Sequence, residues 1–481
     1  MITVEMDMLY FNIKYSGEEK MKKTIKLAVV AALALGATSA FATNGDVMIG
    51  QGAKSRAMGG VGIAKSFGAE SGLVNPAMIA SVEKSEATLV VTAFAPNVSF
   101  GSNAGSNAGA AVAANAAAIA TIGGTNDTSL VVAGPSNAIV KGDSGSNLSI
   151  IPEMAYATRI TDNTVIGLSV SGTAGMGVDY GDNTTNGSFK MVTALSLLKV
   201  AVPVSYQVGN FTAGIAGILQ YGSLAMSHDT FSTPEDNGPE TDIGYGVEVG
   251  LSYAVTKDLT LGAVYKSKIG MTYDNVISKS IDAFGGAQAT GITSGDNLDQ
   301  PEERGVGISY RMGANTISAD YKNIAWGDAD GYKDFGWENQ DVYAVGYEYA
   351  AKSWAFRMGY NYAKSPIAEQ DGSTYSGAVK NFFNLSGFPG IVDTHYTIGG
   401  AYWFSDALSL DAAFIYVPEV SASYDTTGLS QGAAYSLSGG NTNPLDPNNA
   451  VPGAIMQGTA SSTADVTHSQ MGMTLAMSYR F

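Results

Sequence analysis

The chain has 481 residues, a net charge of -17 and a sequence pI near 4.5, which argues against nucleic acid or anionic lipid as a partner. Only 14% of residues are charged, against 59 glycines and 10% aromatics, so the chain is poor in solubilising charge, yet a mean hydropathy of +0.06 is too low for a bundle of apolar helices. The apolar residues must therefore be dispersed, and the absence of cysteine excludes disulfides and thiol chemistry.

Residues 1–20 fit no targeting pattern, and Gly17-Glu18-Glu19-Lys20 is what a translated purine-rich ribosome-binding site would encode. Met21 is therefore expected as the true start, with residues 1–20 a mis-assigned upstream start. Residues 21–42 read as a secretory signal: Lys22, Lys23 and Lys26 precede the apolar run Leu27 to Leu35, and Ala40-Phe41-Ala42 supplies the cleavage site. No later stretch approaches the roughly 20 apolar residues of a membrane helix, so the exported chain is either soluble or a barrel.

Residues 43–84 follow neither a helix nor a strand pattern. Gly52, Gly59, Gly60, Gly62 and Gly68 interrupt it, while Met48, Ile49, Met58, Val61, Ile63 and Phe67 require burial. A compact plug is expected here, filling whatever residues 85–481 enclose.

Beyond it the chain alternates. In the last segment Met471, Met473, Leu475, Met477, Tyr479 and Phe481 share one face, with Gln470, Gly472, Thr474, Ala476, Ser478 and Arg480 on the other. The same period of two marks segments near 86–100, 147–160, 164–177, 193–208, 211–226, 243–256, 259–273, 304–313, 316–326, 341–350, 353–364, 394–404, 407–418 and 467–481. These make about fourteen strands, an even number as bacterial barrels require. Tight turns at Thr161-Asp162-Asn163, Gly209-Asn210, Thr256-Lys257-Asp258, Gly313-Ala314-Asn315, Ala351-Lys352 and Ser405-Asp406 alternate with long links. Short periplasmic turns and long outer loops are the rule in outer-membrane barrels, so both termini are expected in the periplasm.

Three local features qualify the pattern. Pro152 and Pro203 predict bulges inside strands. Ala110 to Ala120, in the first outer loop, is either a helix over the mouth or a low-complexity loop. Gly167, Gly172, Gly175 and Gly177 crowd the third strand, where they mark either a bend that could open the wall sideways or room made for the plug.

Taken together, the glycine-rich segment ending in Asn75-Pro76-Ala77, the strand array, Leu298 to Glu303, Phe388 to Tyr402 and the terminal Phe481 resemble the FadL/TodX family of outer-membrane transporters for hydrophobic compounds. The resemblance spans Thr43 to Phe481. It implies an all-β fold, a fourteen-stranded antiparallel transmembrane barrel with an N-terminal hatch inside the lumen, and passive uptake of long-chain fatty acids or aromatic hydrocarbons. Solute would be captured at the loops, held in an internal pocket and released at a third-strand kink, here Gly172, Gly175 and Gly177, by a monomer in contact with outer-membrane lipid and lipopolysaccharide. The short acidic stretch His228 to Asp242 departs from the family pattern, and the long link at 419–466 has no role that carries over.

The residues themselves suggest where an apolar solute would bind. Phe382, Phe383, Leu385 and Phe388 in the sixth outer loop, and Ile277, Ile281 and Phe284 in the fourth, are apolar where links should face water; they either contact ligand or pack loop on loop. Met48 and Ile49 of the plug are further candidates. The inward charges Glu153, Arg159, Glu248, Lys266, Lys268, Arg311, Asp320, Lys322, Glu348, Arg357, Asp411 and Arg480 are mixed in sign and are expected to form ion pairs that dock Lys54, Arg56 and Glu70. No catalytic or metal-ligating spacing accompanies His228, His395 and His468, so no enzyme, cofactor or metal is expected; Glu302-Glu303 could at most meet divalent ions. A general diffusion porin and a surface adhesin remain as alternative readings.

Overall fold

The computed structural model describes residues 44–104, 142–181, 190–229, 234–431 and 461–481. The alternating segments become fourteen antiparallel strands: β1 (Ser85–Ser102), β2 (Ser149–Thr161), β3 (Thr164–Asp179), β4 (Val192–Val208), β5 (Phe211–Asp229), β6 (Pro234–Ala254) and β7 (Leu259–Lys266), then β8 (Glu303–Met312), β9 (Asn315–Ile324), β10 (Gln340–Ala350), β11 (Trp354–Ala363), β12 (Thr394–Trp403), β13 (Leu408–Asp425) and β14 (Thr463–Arg480). Each pairs with its chain neighbours. β14 then returns to β1 in a register from Glu86↔Arg480 to Ser102↔Ala464, so the sheet closes on itself. A two-residue strand, Gly142–Asp143, extends the ladder on β1 at Ser99 and Phe100.

Burial runs opposite to that of a water-soluble sheet. On β14, Met473, Met477 and Tyr479 are 54%, 52% and 52% exposed, whereas Gln470, Thr474 and Ser478 are at most 1% exposed. Apolar side chains outside and polar ones inside suit lipid around the wall and a packed lumen within it.

The six tight turns form where expected. At Gly209 and Gly313, φ is +55° and +63° with nothing within 4 Å of a would-be Cβ, so it is the left-handed backbone, not crowding, that calls for glycine.

Several boundaries move. β5 and β6 run on to Asp229 and back from Pro234, so most of the acidic stretch expected as a loop is a hairpin extension, with Leu224 opposite Glu240. A ladder once started propagates while side chains alternate, whatever their polarity, once it has left the lipid. β7 stops at Lys266, short of the expected 273, and beyond it Ile269 and Thr272 hold only single bridges to Gln300 and Asn297.

The expected proline bulges do not form: Pro152 faces Val91 and Pro203 faces Ala216 in unbroken register. A shift does occur between Val417 and Val420, around Pro418, where a missing N–H breaks the ladder. The readings for residues 1–42, for Ala110 to Ala120 and for most of 419–466 fall outside the described residues.

Inside the wall the chain from Asn44 to Val82 is mostly buried, coiled through one short helix, α1 (Gly52–Ala57), and two 3-10 turns, Gly68–Leu73 and Pro76–Ser81. Wall glycines let it approach. A Cβ on Gly250 would sit 1.9 Å from Asn75 Oδ1, and one on Gly359 would sit 2.1 Å from the Gly59 nitrogen.

Candidate functional site

Buried charges hold the inner segment to the wall. Arg56, fully buried, pairs with Glu153 of β2 and donates to Thr92 Oγ1 of β1 at 2.9 Å. Lys54 pairs with Glu70 at 2.7 Å within the segment itself, with Asp411 and Glu86 of the wall 4.0 Å away. Asp320 Oδ2 accepts from the Gly62 and Ile63 nitrogens at 2.7 and 2.9 Å, and Lys65 meets Glu348 at 2.8 Å, which Arg357 ties on to Asp411.

Asn75 explains the Asn-Pro-Ala motif physically. Its Oδ1 accepts from the Ala77 nitrogen at 3.0 Å, capping the 3-10 turn that Pro76 begins, while Nδ2 donates to the Ile63 carbonyl at 2.7 Å. Two expected inward charges lie elsewhere: Arg311 is exposed at a tight turn, bonded to Asp258, and Lys268 sits above β7 on Asp299 and Asp330. Glu303 is matched by Lys266, and Glu302 accepts from the Tyr265 hydroxyl at 2.8 Å and pairs with Arg304. Among the described residues no cluster of three metal-ligating side chains occurs.

The wall is incomplete along β3. Its ladder with β2 runs from the turn up to Glu153↔Ser171 and stops, although β3 continues to Asp179. The next residue on β2 is Pro152, which has no N–H to offer. On the β4 side the register shifts between Gly172 and Ala174, so Thr173 is the extra residue of a bulge. The freed edge is met from inside: the Met48 nitrogen donates to the Thr173 carbonyl at 3.3 Å, and the Gly175 nitrogen donates to the Asp46 carbonyl at 3.2 Å. Higher up, Gly145 donates to the Asp179 carbonyl at 2.6 Å. The glycines at 172, 175 and 177 thus lie on the stretch of β3 that has parted from β2.

Above this gap the outer loops converge. One loop carries α2 (Ile277–Asp282) and α3 (Gly286–Thr290), and another carries α4 (Tyr375–Ser386), whose N-cap Thr374 accepts from the Gly377 nitrogen at 3.1 Å. Ile277, Ile281, Phe284, Phe382, Phe383, Leu385 and Phe388, expected from two separate loops, join one buried apolar cluster. Phe284 and Phe383 meet edge to face at 5.0 Å, and Phe382 meets Phe100 of β1 at 5.7 Å. Met48 and Ile49 lie apart from it. Met48 packs on Phe94 and Ile151 beside the gap, and Ile49 on Val392, Ile415 and Val417.

Sequence reasoning missed the rings at the base of this cluster. Trp326, Tyr332 and Trp337 pack at steep angles with centroids 4.6 to 5.2 Å apart, and Gly45 fits beneath Trp326, where a Cβ would sit 2.6 Å from the ring. Four aromatics, Phe335 being the fourth, within twelve residues of a polar, glycine-bearing loop were the available signal. The Tyr332 hydroxyl and Gln300 Nε2 both donate to Asp46 Oδ2, the latter at 3.2 Å, so Asp46 links the outer loops by its side chain to the β3 edge by its carbonyl. Burial raises the Asp46 carboxyl to about 6, against the pull of those two hydrogen bonds.

Solved structures with this architecture exist. A crystal structure of a FadL homologue from Pseudomonas aeruginosa matches with a TM-score of 0.57 at 16% identity, covering 91% of this chain and 100% of that one. The toluene transporter TodX of Pseudomonas putida matches with the same score, identity and coverage. At that identity the likeness is one of fold. In sequence, the long-chain fatty acid transport protein of Escherichia coli is 24% identical over 272 residues, 45% of this chain and 60% of that relative's length. An uncharacterized protein from Chlorobium limicola is 39% identical over 85 residues, 17% of this chain and 42% of its own. The family described as outer membrane protein transport protein (OMPP1/FadL/TodX) matches residues 27–481, taking in the inner segment, every strand and the converging loops, and this chain belongs to it.

Proposed function

We propose that this protein is a passive route for hydrophobic molecules, long-chain fatty acids or aromatic hydrocarbons, across the bacterial outer membrane. Solute is captured at the outer loops, passes through the apolar cluster that α2 and α4 help build, and leaves sideways where β3 parts from β2. The observation that carries this reading is the ladder ending at Glu153↔Ser171 while β3 runs on to Asp179, with Asp46 and Met48 meeting the freed edge from inside and Ser144 and Gly145 holding its far end at Asp179. These scattered hydrogen bonds are a small barrier to motion compared with a full strand ladder. The named substrates of the E. coli and P. putida relatives, a fatty acid and toluene, supply the class.

In this reading residues 21–42 are removed on export, residues 43–84 act as the hatch, and the barrel works as a monomer embedded among outer-membrane lipid and lipopolysaccharide. The tight-turn end and both termini face the periplasm. The protein performs no catalysis; it offers apolar surface where the charged, tightly packed outer leaflet does not.

The chain has no cysteine, so a pair can be introduced cleanly. With Met48→Cys and Thr173→Cys joined by a reducible cross-linker, cells relying on this protein should lose uptake of radiolabelled toluene or fatty acid, and regain it on reduction. Undiminished uptake through the cross-linked protein would refute a lateral exit here.

A further inference from the structure

The apolar cluster contains polar atoms that the fold itself does not use. The hydroxyls of Tyr180 and Tyr273 make no hydrogen bond, although the two residues are only 5% and 0% exposed. Tyr273 lays its hydroxyl over Gly222, where a would-be Cβ meets that oxygen at 2.2 Å, Met271 Cε at 2.6 Å and Leu197 Cδ2 at 3.1 Å. Met271 and Leu197 thus share that space with the hydroxyl. Tyr180 packs its ring 5.9 Å from that of Phe100, which in turn meets Phe382. Buried hydroxyls ordinarily find partners, and two left over in one apolar region favour an occupant that brings its own donor or acceptor.

The charges around the cluster say what that occupant is not. Asp46, at its base, leaves Oδ1 without a partner. The nearby cations are paired or lie at the loop surface: Lys199 pairs with Glu248 at 3.6 Å, Lys268 with Asp299 at 3.0 Å and Lys333 with Asp330, Lys380 sets its Nζ beside the exposed Gly291, 3.7 Å from a would-be Cβ there, and Lys279 and Lys364 are exposed. Deeper in the lumen Lys199, Lys266 and Lys322 are equalled in number by Glu248, Glu303 and Asp320. In the sequence the first outer link carries a single cation, Lys141, and residues 432–460 of the last carry none. His228 already directs Nε2 at the Ser280 carbonyl, 2.9 Å away. A ligand carboxylate entering here would face Asp46, while the buried cations named above are already engaged by carboxylates.

We propose, building on the transport reading above, that this cluster selects an uncharged amphiphile, a hydrocarbon body bearing a hydroxyl or carbonyl oxygen, over a carboxylate ion of the same size. Tyr273 and Tyr180 are the specificity-determining residues. Each supplies one phenolic O–H that can donate to, or accept from, the ligand's oxygen.

The test uses the full-length mature protein in lipid nanodiscs at pH 8, where an unperturbed imidazole is neutral. Displacement of the neutral fluorophore N-phenylnaphthylamine is followed with three ligands of one shape: butylbenzene, 4-butylphenol and 4-butylbenzoate. Protein-free nanodiscs correct for partition into lipid. The phenol should displace the probe at a concentration about tenfold or more below that of the benzoate. Tyr273→Phe or Tyr180→Phe should weaken the phenol by about threefold or more and leave butylbenzene within about twofold. Benzoate binding as tightly as the phenol, or a phenol-to-butylbenzene ratio unmoved in both variants, overturns the selection and leaves transport standing. If none of the three displaces the probe saturably, the transport reading fails and this inference with it.

Discussion

Arg56 has no contact with water, and its guanidinium is held by the Glu153 carboxylate and the Thr92 hydroxyl of the barrel wall. Removing one partner of such a pair strands the other charge in a medium that cannot solvate it. Arg56→Ala should therefore loosen the inner segment by about 3–5 kcal/mol, read as faster amide exchange through Gly52–Ala57 while the strands keep their protection.

Asp46 responds to pH in the opposite sense to a paired acid. Burial holds its carboxyl at about 6, above the ordinary 3.8, so between those values the folded protein keeps a proton that the released segment would lose. The hold is full below the lower value, weakens as pH rises through the window, and is smaller by about 3 kcal/mol above it. Protection factors of the amides from Asn44 to Met48, with the intrinsic pH dependence of exchange divided out, should be larger at pH 4.5 than at pH 7.5, and Asp46→Asn should abolish the difference. The sequence showed Arg56 as a docking charge with Glu153 among the inward wall charges expected to hold it, without saying which would, and held no sign of Asp46 among so many acids.

At the scale of elements, α4 is a loop helix with a cap of its own. Thr374→Ala deprives the Gly377 nitrogen of its acceptor and should cost about 1 kcal/mol, seen as quicker proteolysis of the loop at the outer rim. Phe383→Ala should cost more, about 3–5 kcal/mol, because the ring is wholly buried between Phe284, Phe335 and Phe382. The apolar residues of both loops were legible as anomalies, since exposed links seldom carry so many; that they meet one another was not. β3 shows the same division. Its glycines announced an irregular strand, but whether they bend the wall or make room inside depended on Pro152 of the neighbouring strand, whose lack of an N–H falls where the ladder ends.

For the whole molecule, the filled lumen sets the electrical behaviour. In planar bilayers the intact protein should conduct little, because Asn44 to Val82 occupy the interior and are pinned to β1, β2, β9 and β10 by buried charges. Deleting Asn44 to Ala80 should produce steady, large conductance steps. Steps of that size from the intact protein would favour an open diffusion pore instead.

The sequence alone determined the barrel. Alternation of period two, tight turns and the number of segments are local properties, and lipid outside with packed groups inside leaves one way to satisfy fourteen such ribbons. Only the tertiary structure decided which charge meets which, that two distant loops and the Trp326, Tyr332 and Trp337 rings share a cluster, and that Asp46 bridges those loops to β3. Those contacts join residues up to hundreds of positions apart, brought together by closure of β14 on β1, and no local pattern carries the register of that closure.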